Sequence, residues 1–333
     1  MKKIICSFFF LIVISAFGQT KTPEDFGFKH IAIKYKNDNV DILIFSKKGE
    51  ENIAKPLFFF CQGSLPRPLI IYDEYGGYGT FPFTPVNLSE KYHLAVVGKP
   101  YVPVMVDEDA LRQPFSTYVD SLNCTKEYSD RNLLSYYVKR NMLVVNYLQK
   151  QKWISSEQLV VAGHSEGSSV AAKMAAECKK ITHLIYCAGN PFGRIMNIIA
   201  RDRARETDTD TTRFGERSMR YWEKVVRNKN CMDSSHGDTD KTTFDFSYPP
   251  IIKYFTKLKI PVLVSFGTKD ACAPFNDYLQ VETIRLKKKN FTFKAYIGTE
   301  HNFFPIAADG KPDYSVRNWN KVADDWLKWL NNN

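Results

Sequence analysis

From about Phe28 onward the chain alternates between short apolar runs and amphipathic stretches. The apolar, β-rich runs fall at 31–35, 40–45, 57–61, 94–97, 159–162, 184–187, 262–266 and 291–297. Several are continuously apolar, as expected of strands in a parallel sheet covered on both faces. The first two alternate instead and predict an antiparallel edge hairpin turning through Lys36-Asn37-Asp38-Asn39. Leu134, Val138, Met142, Val145 and Leu148 recur at helical spacing, as do Trp319, Val322, Ala323, Trp326, Leu327 and Leu330. Such stripes are core-facing helix positions. Strand and helix in alternation predict an α/β fold: one eight-stranded, mostly parallel sheet with helices on both faces.

One stretch breaks the rhythm. Between Pro191 and Pro250 no strand pattern occurs, the composition is polar, and Phe214, Tyr221, Trp222, Val225 and Val226 outline a single helix. About sixty residues are too many for a bare loop in a compact domain. Residues 191–250 therefore read as a helical cap inserted between the sixth and seventh strands of a core formed by 19–190 and 251–333. A cap at that point would overhang the C-terminal edge of the sheet, with Phe214, Tyr221 and Trp222 as apolar wall. The alternative is an insert packed at the side.

The first residues stand apart from this pattern. Lys2 and Lys3, the apolar run 4–17 and then Ala16-Phe17-Gly18 have the layout of a secretory signal peptide, residues 1–18, cleaved near Gly18. The run is shorter than the roughly 20 apolar residues that span a bilayer. Export to the periplasm or medium is the expectation, with no integral membrane segment after cleavage; an uncleaved anchor is the competing reading. Cleavage leaves Cys61, Cys124, Cys178, Cys187, Cys231 and Cys272. Cys61, Cys178 and Cys187 read as packing residues. Cys124, Cys231 and Cys272 lie in polar, loop-like stretches and form the plausible disulfide set for an exported chain. None has metal-ligand spacing. The 333 residues carry a formal charge of +10, spread along the chain with both signs mixed. No zinc-finger spacing or aromatic RNA-binding motif accompanies it, which argues against nucleic acid as a partner.

The chemistry concentrates at Gly163-His164-Ser165-Glu166-Gly167. This segment follows an apolar strand and opens a helix of small residues, among them Ser168, Ser169, Ala171, Ala172, Ala175 and Ala176. A nucleophilic serine needs a tight, strained turn that lifts its Oγ clear of the sheet, and flanking glycines let strand and helix approach. Of the six histidines, His301 follows the last predicted strand and is the expected base. His164 adjoins the serine, but its side chain points away from the Oγ, so a packed or hydrogen-bonded role is expected for it. Asp270 follows the seventh strand through Gly267-Thr268-Lys269 and is the expected orienting acid, with Asp277 and Glu300 as rivals. The structural alternative for Asp270 is a cap on the following turn. The oxyanion needs two backbone donors: Glu166 N–H, directly after the serine, and Ser64 N–H in Gln62-Gly63-Ser64-Leu65. The Glu166 side chain reads as a polar wall or hydrogen-bond anchor.

Together the elbow, Cys61-Gln62-Gly63-Ser64, Gly267-Thr268-Lys269-Asp270 and Glu300-His301 resemble the α/β-hydrolase superfamily, over about 28–330. In general pattern the chain looks closest to the dienelactone-hydrolase-like and acyl-peptidase-like branch. It departs from that pattern in two ways. The oxyanion loop lacks the glycine run of many esterases, and Ser165 stands where true dienelactone hydrolases have cysteine. The resemblance implies acyl transfer to water through an acyl-enzyme, with no cofactor or metal. The substrate is then a small-molecule ester or short peptide, selected by the cap residues Tyr221 and Trp222 and by the loop 72–83, including Tyr72. An ester hydrolase is the first expectation. A peptidase or amidase acting on short peptides is the second. A catalytically inactive binding module on the same scaffold is the third.

Overall fold

The structure is a computed structural model that describes residues 21–111, 125–209, 211, 213–233 and 238–333. The expected signal peptide, its cleavage point and Cys124 lie outside the described residues. Eight strands form the main sheet: β1 (Phe28–Tyr35), β2 (Asp38–Phe45), β3 (Lys55–Cys61), β4 (His93–Val97), β5 (Ile154–His164), β6 (His183–Cys187), β7 (Val262–Gly267) and β8 (Phe291–Tyr296). Their spatial order is β1-β2-β4-β3-β5-β6-β7-β8. β1 and β2 pair antiparallel from Phe28↔Phe45 to Tyr35↔Asp38, across a two-residue turn in which Lys36 takes a φ of 54°. β2 pairs antiparallel with β4, and every later pairing is parallel.

Strand pleat divides the core into two layers. On β3, Leu57, Phe59 and Cys61 face one side of the sheet while Phe58 and Phe60 face the other. The first side is covered by α1 (Leu134–Leu148) and α2 (Glu166–Glu177), with Val138, Val145, Ala171 and Met174 among their buried residues. A later helix, after β7, adds Ala273 and Leu279 to the same layer. The second side is covered by the C-terminal helix Trp319–Asn331, which buries Trp319, Val322, Ala323, Trp326, Trp329 and Leu330. Helices therefore cover both faces, as the alternating pattern predicts.

Two features exceed the sequence pattern. A small second sheet joins Ile70–Tyr72 to Gly77–Tyr78 and to Met105–Asp107. Strands of two or three residues are too short to register a period. Between β6 and β7 the described residues form four helices, where hydrophobic spacing outlines one: α3 (Arg194–Arg205), α4 (Phe214–Arg227), α5 (Asp240–Asp245) and a single turn at Ile252–Phe255. In α3 only Ile195 and Ile199 are buried, so its apolar stripe is a single i, i+4 pair. The helix after β7 is α6 (Ala273–Arg285), and the C-terminal helix is α7. No helix among the described residues is long and apolar enough to cross a membrane.

An ion pair between a buried carboxylate and a partly exposed guanidinium fastens the hairpin to the first helical layer. Asp38 begins β2 and accepts hydrogen bonds from Arg131 Nε (3.0 Å) and Nη2 (2.8 Å), and from the hydroxyls of Tyr136 (2.8 Å) and Tyr101 (2.9 Å). The Arg131 hydrogen bond, helped by the two phenols, outweighs burial and holds this carboxyl at about 2. A depressed folded-state pKa gives stability that is complete above the unfolded value near 3.8 and is lost as pH falls through about 2. Asp38→Asn is therefore expected to cost about 2 kcal/mol at pH 7. Urea unfolding of both proteins at pH 7 and pH 3 measures this, and the difference should shrink at pH 3. A difference that does not change with pH would contradict the assignment.

Candidate active site

Two glycines make the turn between β5 and α2 possible. A Cβ on Gly163 would lie 2.1 Å from the carbonyl oxygen of Gly167, and one on Gly167 would lie 2.1 Å from that of Cys61. No larger residue fits either position. The chain is thereby pinched so that Ser165 caps α2 at φ 57° and ψ −124°, a left-handed φ unusual for a residue with a side chain. Its N–H donates to the carbonyl of Cys187 on β6 (3.0 Å), which locks the turn to the sheet. The Glu166 N–H follows at the positive end of α2. Gly63, after β3, lies against Ser165: a Cβ at Gly63 would fall 3.7 Å from that of the serine. Gln62, Gly63 and Ser64 line the same cavity as Ser165.

Three loops from the C-terminal ends of β5, β7 and β8 converge here. His301 Nε2 stands 2.9 Å from Ser165 Oγ, and His301 Nδ1 stands 2.7 Å from Asp270 Oδ2. A carboxylate only accepts, so Nδ1–H donates to Asp270. The neutral ring then presents the Nε2 lone pair to the serine hydroxyl. Burial pushes Asp270 up, but the hydrogen bond and charge of His301, with the Cys272 contacts, hold it below its ordinary value. Burial pushes His301 down, and the hydrogen bond and charge of Asp270 more than offset this, so its pKa is raised. The rival acids are engaged elsewhere. Glu300 Oε1 accepts from the Asn302 and Phe304 amides (2.7 and 3.0 Å), and Asp277 is exposed on α6.

His164 packs behind His301. Its Nε2–H donates to the His301 carbonyl (3.0 Å), and its ring lies 4.8 Å from Trp319. Burial, then the neighbouring His301 charge, depress its pKa to about 3, so the ring is neutral. Cys272 corrects an expectation: it is buried and unpaired, and its thiol donates to Asp270 Oδ2 at 2.9 Å. Burial and the adjacent carboxylate raise that thiol well above its ordinary value. Cys231 is also a free thiol, as are Cys61, Cys178 and Cys187. Asp270, Cys272 and His301 are the one group of metal-ligand type among the described residues. Their donor atoms satisfy one another, and the protonated thiol offers no thiolate ligand.

A network of buried charges underlies the serine turn, and nothing in the local sequence signals it. The Glu166 carboxylate takes Lys99 Nζ at 3.0 Å and also pairs with Arg194, whose Nη1 reaches Asp238 at 2.6 Å. Arg194 opens α3 and lies over the Phe246 ring at 4.3 Å. Burial pushes Glu166 up, and Lys99 and Arg194 overcome that, holding it ionised. The anchor role expected for this side chain is thus filled, by partners 67 and 28 residues away.

The cavity over Ser165 measures about 740 Å³, with Phe60, Phe81, Ile198 and Trp319 among its apolar walls. Tyr72, Tyr221 and Trp222, expected at the substrate, do not line it. Tyr72 stacks on Phe26 (5.7 Å), the Tyr221 hydroxyl bonds to Thr243 Oγ1 (2.8 Å), and Trp222 stacks on Phe244 (5.9 Å). The polar ends and ring faces of α4 are turned toward the 240–248 segment. Between β6 and β7, α3 contributes to the wall instead, through Arg194, Asn197, Ile198 and Arg201. Phe214 is likewise absent from the wall and stacks beneath the guanidinium groups of Arg205 and Arg217.

An eight-stranded, mostly parallel sheet with helices on both faces and a sharp strand–turn–helix elbow defines an α/β-hydrolase. The chain belongs to the family described as BAAT / acyl-CoA thioester hydrolase C terminal, which matches residues 136–305, just over half of the chain. No curated protein sequence matches it. Among solved structures it is similar to the acylaminoacyl peptidase of Pyrococcus horikoshii, at 13% identity and a TM-score of 0.55. That similarity covers 91% of this chain but 41% of the peptidase, so the chain spans less than half of that relative. It is similar over nearly the full length to two esterases. Est1E from Butyrivibrio proteoclasticus has 13% identity and a TM-score of 0.51, covering 91% of this chain and 99% of Est1E. The Pyrococcus furiosus esterase Pf2001 has 14% identity and a TM-score of 0.51, covering 93% of each chain. At these identities the likeness is one of fold.

Arg194→Met is expected to destabilise the protein by about 3 kcal/mol, because it leaves the buried Glu166 with one cation in place of two. Arg194→Met combined with Glu166→Gln should recover part of that loss. Urea unfolding of the two variants tests the pairing, and equal stabilities would contradict it.

Proposed function

We propose that the protein is a serine hydrolase that cleaves a carboxylic ester, with Ser165 as nucleophile, His301 as general base and acid, and Asp270 as the carboxylate that orients it. The observation that carries this reading is the continuous hydrogen-bond relay Asp270–His301–Ser165 on a left-handed serine. In the first half-reaction His301 Nε2 takes the Oγ proton as Oγ bonds to the ester carbonyl carbon. The tetrahedral oxyanion is held by the Glu166 N–H and, on this reading, by the Ser64 N–H. Its collapse breaks the carbon–oxygen bond, and the imidazolium returns the proton to the departing alcohol. Water then attacks the acyl-enzyme with His301 again as base, which releases the acid and restores the serine hydroxyl.

The same reading takes residues 191–250 as a cap, supported by the α3 side chains in the cavity wall. It takes the first 18 residues as a cleaved export signal, supported by their charged and apolar pattern. A peptidase or amidase acting on short peptides is the second reading, since solved structures of this fold include a peptidase as well as esterases.

Ser165→Ala is expected to lower kcat on 4-nitrophenyl butyrate by roughly 10⁴–10⁶-fold with the melting temperature little changed. Retention of activity within tenfold would contradict the nucleophile assignment.

The pH profile follows from the raised His301 pKa. The base must be neutral, so kcat/KM should fall as pH drops below a midpoint lying above 6.5. Asp270→Asn should move that midpoint to lower pH and reduce kcat by roughly 10⁴-fold, whereas Glu300→Gln, which removes only a weaker charge effect, should move the midpoint less and leave kcat within about tenfold. The reverse pattern would make Glu300 the orienting acid.

A further inference from the structure

Four cationic side chains line the cavity over Ser165: Arg67, Arg194, Arg201 and Lys269. Arg194 is committed to Glu166 and Asp238, and Lys269 is exposed to water. Arg67 is in a different position. It is half-buried, its Nε is sealed from solvent without a partner, and no carboxylate bonds its guanidinium among the described residues. Burial lowers its pKa, and the one opposing influence is the phenol of Tyr78. A guanidinium taken out of water without an anion is a standing cost to the fold, and a ligand that supplies the anion recovers it.

Gly79 stands next to Arg67 at φ +99°, and a Cβ at that position would fall 3.7 Å from Arg67 Nη2. Arg67 lines the same cavity as Ser165. Phe60, Phe81 and Pro82 are among the apolar walls of that cavity. Arg201, on α3, is exposed and also lacks a carboxylate partner among the described residues, and its charge acts on His301. Of the cavity's charged groups without an ion-pair partner among the described residues, Arg67, Arg201 and Lys269 are positive and Glu300 is negative; the neighbours also include Glu166 and Asp238. These three carboxylates are already held, by Lys99 and Arg194 and by the backbone of the His301 loop.

We propose that the substrate of this cavity carries one carboxylate, received by the two-pronged guanidinium of Arg67, together with an apolar portion seated against Phe60 and Phe81. One half-buried guanidinium balances one negative charge, and its planar fork matches a carboxylate. Arg201 adds to the local positive field that draws the anion in. The inference rests on Ser165 being the reactive centre of an ester hydrolase, and it names the substrate class for that same site.

The test is binding to the Ser165→Ala protein, which separates recognition from turnover. Two pairs of ligands are titrated by calorimetry: phenyl hemiglutarate and its methyl ester, and 4-acetoxybenzoate and its methyl ester. The first pair puts the charge on the acyl side and the second on the leaving group. At least one carboxylate should bind about tenfold more tightly than its uncharged partner, the scale of one charge-assisted hydrogen-bonded pair. Arg67→Met in the same background should bring that ratio close to one. Arg67→Lys, which keeps the charge and loses the fork, should keep part of it, and it carries the test should the methionine variant not fold. Equal affinity within both pairs, or a preference that survives the removal of Arg67, overturns the proposal. Failure of the wild-type protein to hydrolyse any of the four esters would instead count against the hydrolase reading, because the affinity ratio is measured without turnover.

Discussion

The structure depends on how closely β3, β5 and α2 can approach one another at Ser165. Backbone carbonyls of Gly167 and Cys61 occupy the places where side chains of Gly163 and Gly167 would begin. That contact forces the left-handed serine, and with it the exposure of the Oγ at the C-terminal edge of the sheet. The small residues of α2 extend the same constraint: Ser168, Val170, Ala171 and Ala172 are buried where a bulky residue would push the helix off the strands. The strain of the turn is held by hydrogen bonds and packing around it, chiefly the Ser165 amide on Cys187 and the Ser168 hydroxyl on the Ser165 carbonyl (2.5 Å).

Charge then organises what packing has placed. Glu166 cannot turn toward water, so it gathers Lys99 from the end of β4 and Arg194 from the start of α3. A buried carboxylate with two cations contributes little net stability compared with an apolar replacement, but it penalises arrangements that separate the partners. Its position joins the serine turn to the helices between β6 and β7 through Arg194 and Asp238. On the opposite wall the neutral His164 spaces His301 from Trp319, and the Cys272 thiol completes the hydrogen bonds of Asp270. The relay is therefore supported on both sides by groups that carry no charge.

The eight strands and the two long amphipathic helices could be read from the chain because burial on both faces leaves a continuous apolar run, and burial on one face leaves a 3.6-residue stripe. Ser165, Asp270 and His301 could be read because this chain order and the strand ends make local signatures. The partners of Glu166 could not, since Lys99 and Arg194 are brought in by tertiary packing. The break in the strand–helix rhythm between β6 and β7 is legible, but Tyr221 and Trp222 contact Thr243 and Phe244 and do not line the cavity. Aromatic character marks a helix face that packs somewhere, and it does not say whether the neighbour is the cavity or α5. Cys272 reads as a loop cysteine from its polar neighbours, yet the turn that delivers Asp270 folds it inward.

The claim on which the rest depends is that Ser165 is the one activated hydroxyl of this protein. It is tested most directly by treating the folded wild-type chain with a fluorophosphonate and mapping the adduct by tandem mass spectrometry. The expected result is a single phosphonyl group on Ser165, lost when His301 is replaced by Ala. Absence of labelling, or an adduct on a neighbouring hydroxyl such as Ser64 or Ser169, would contradict it.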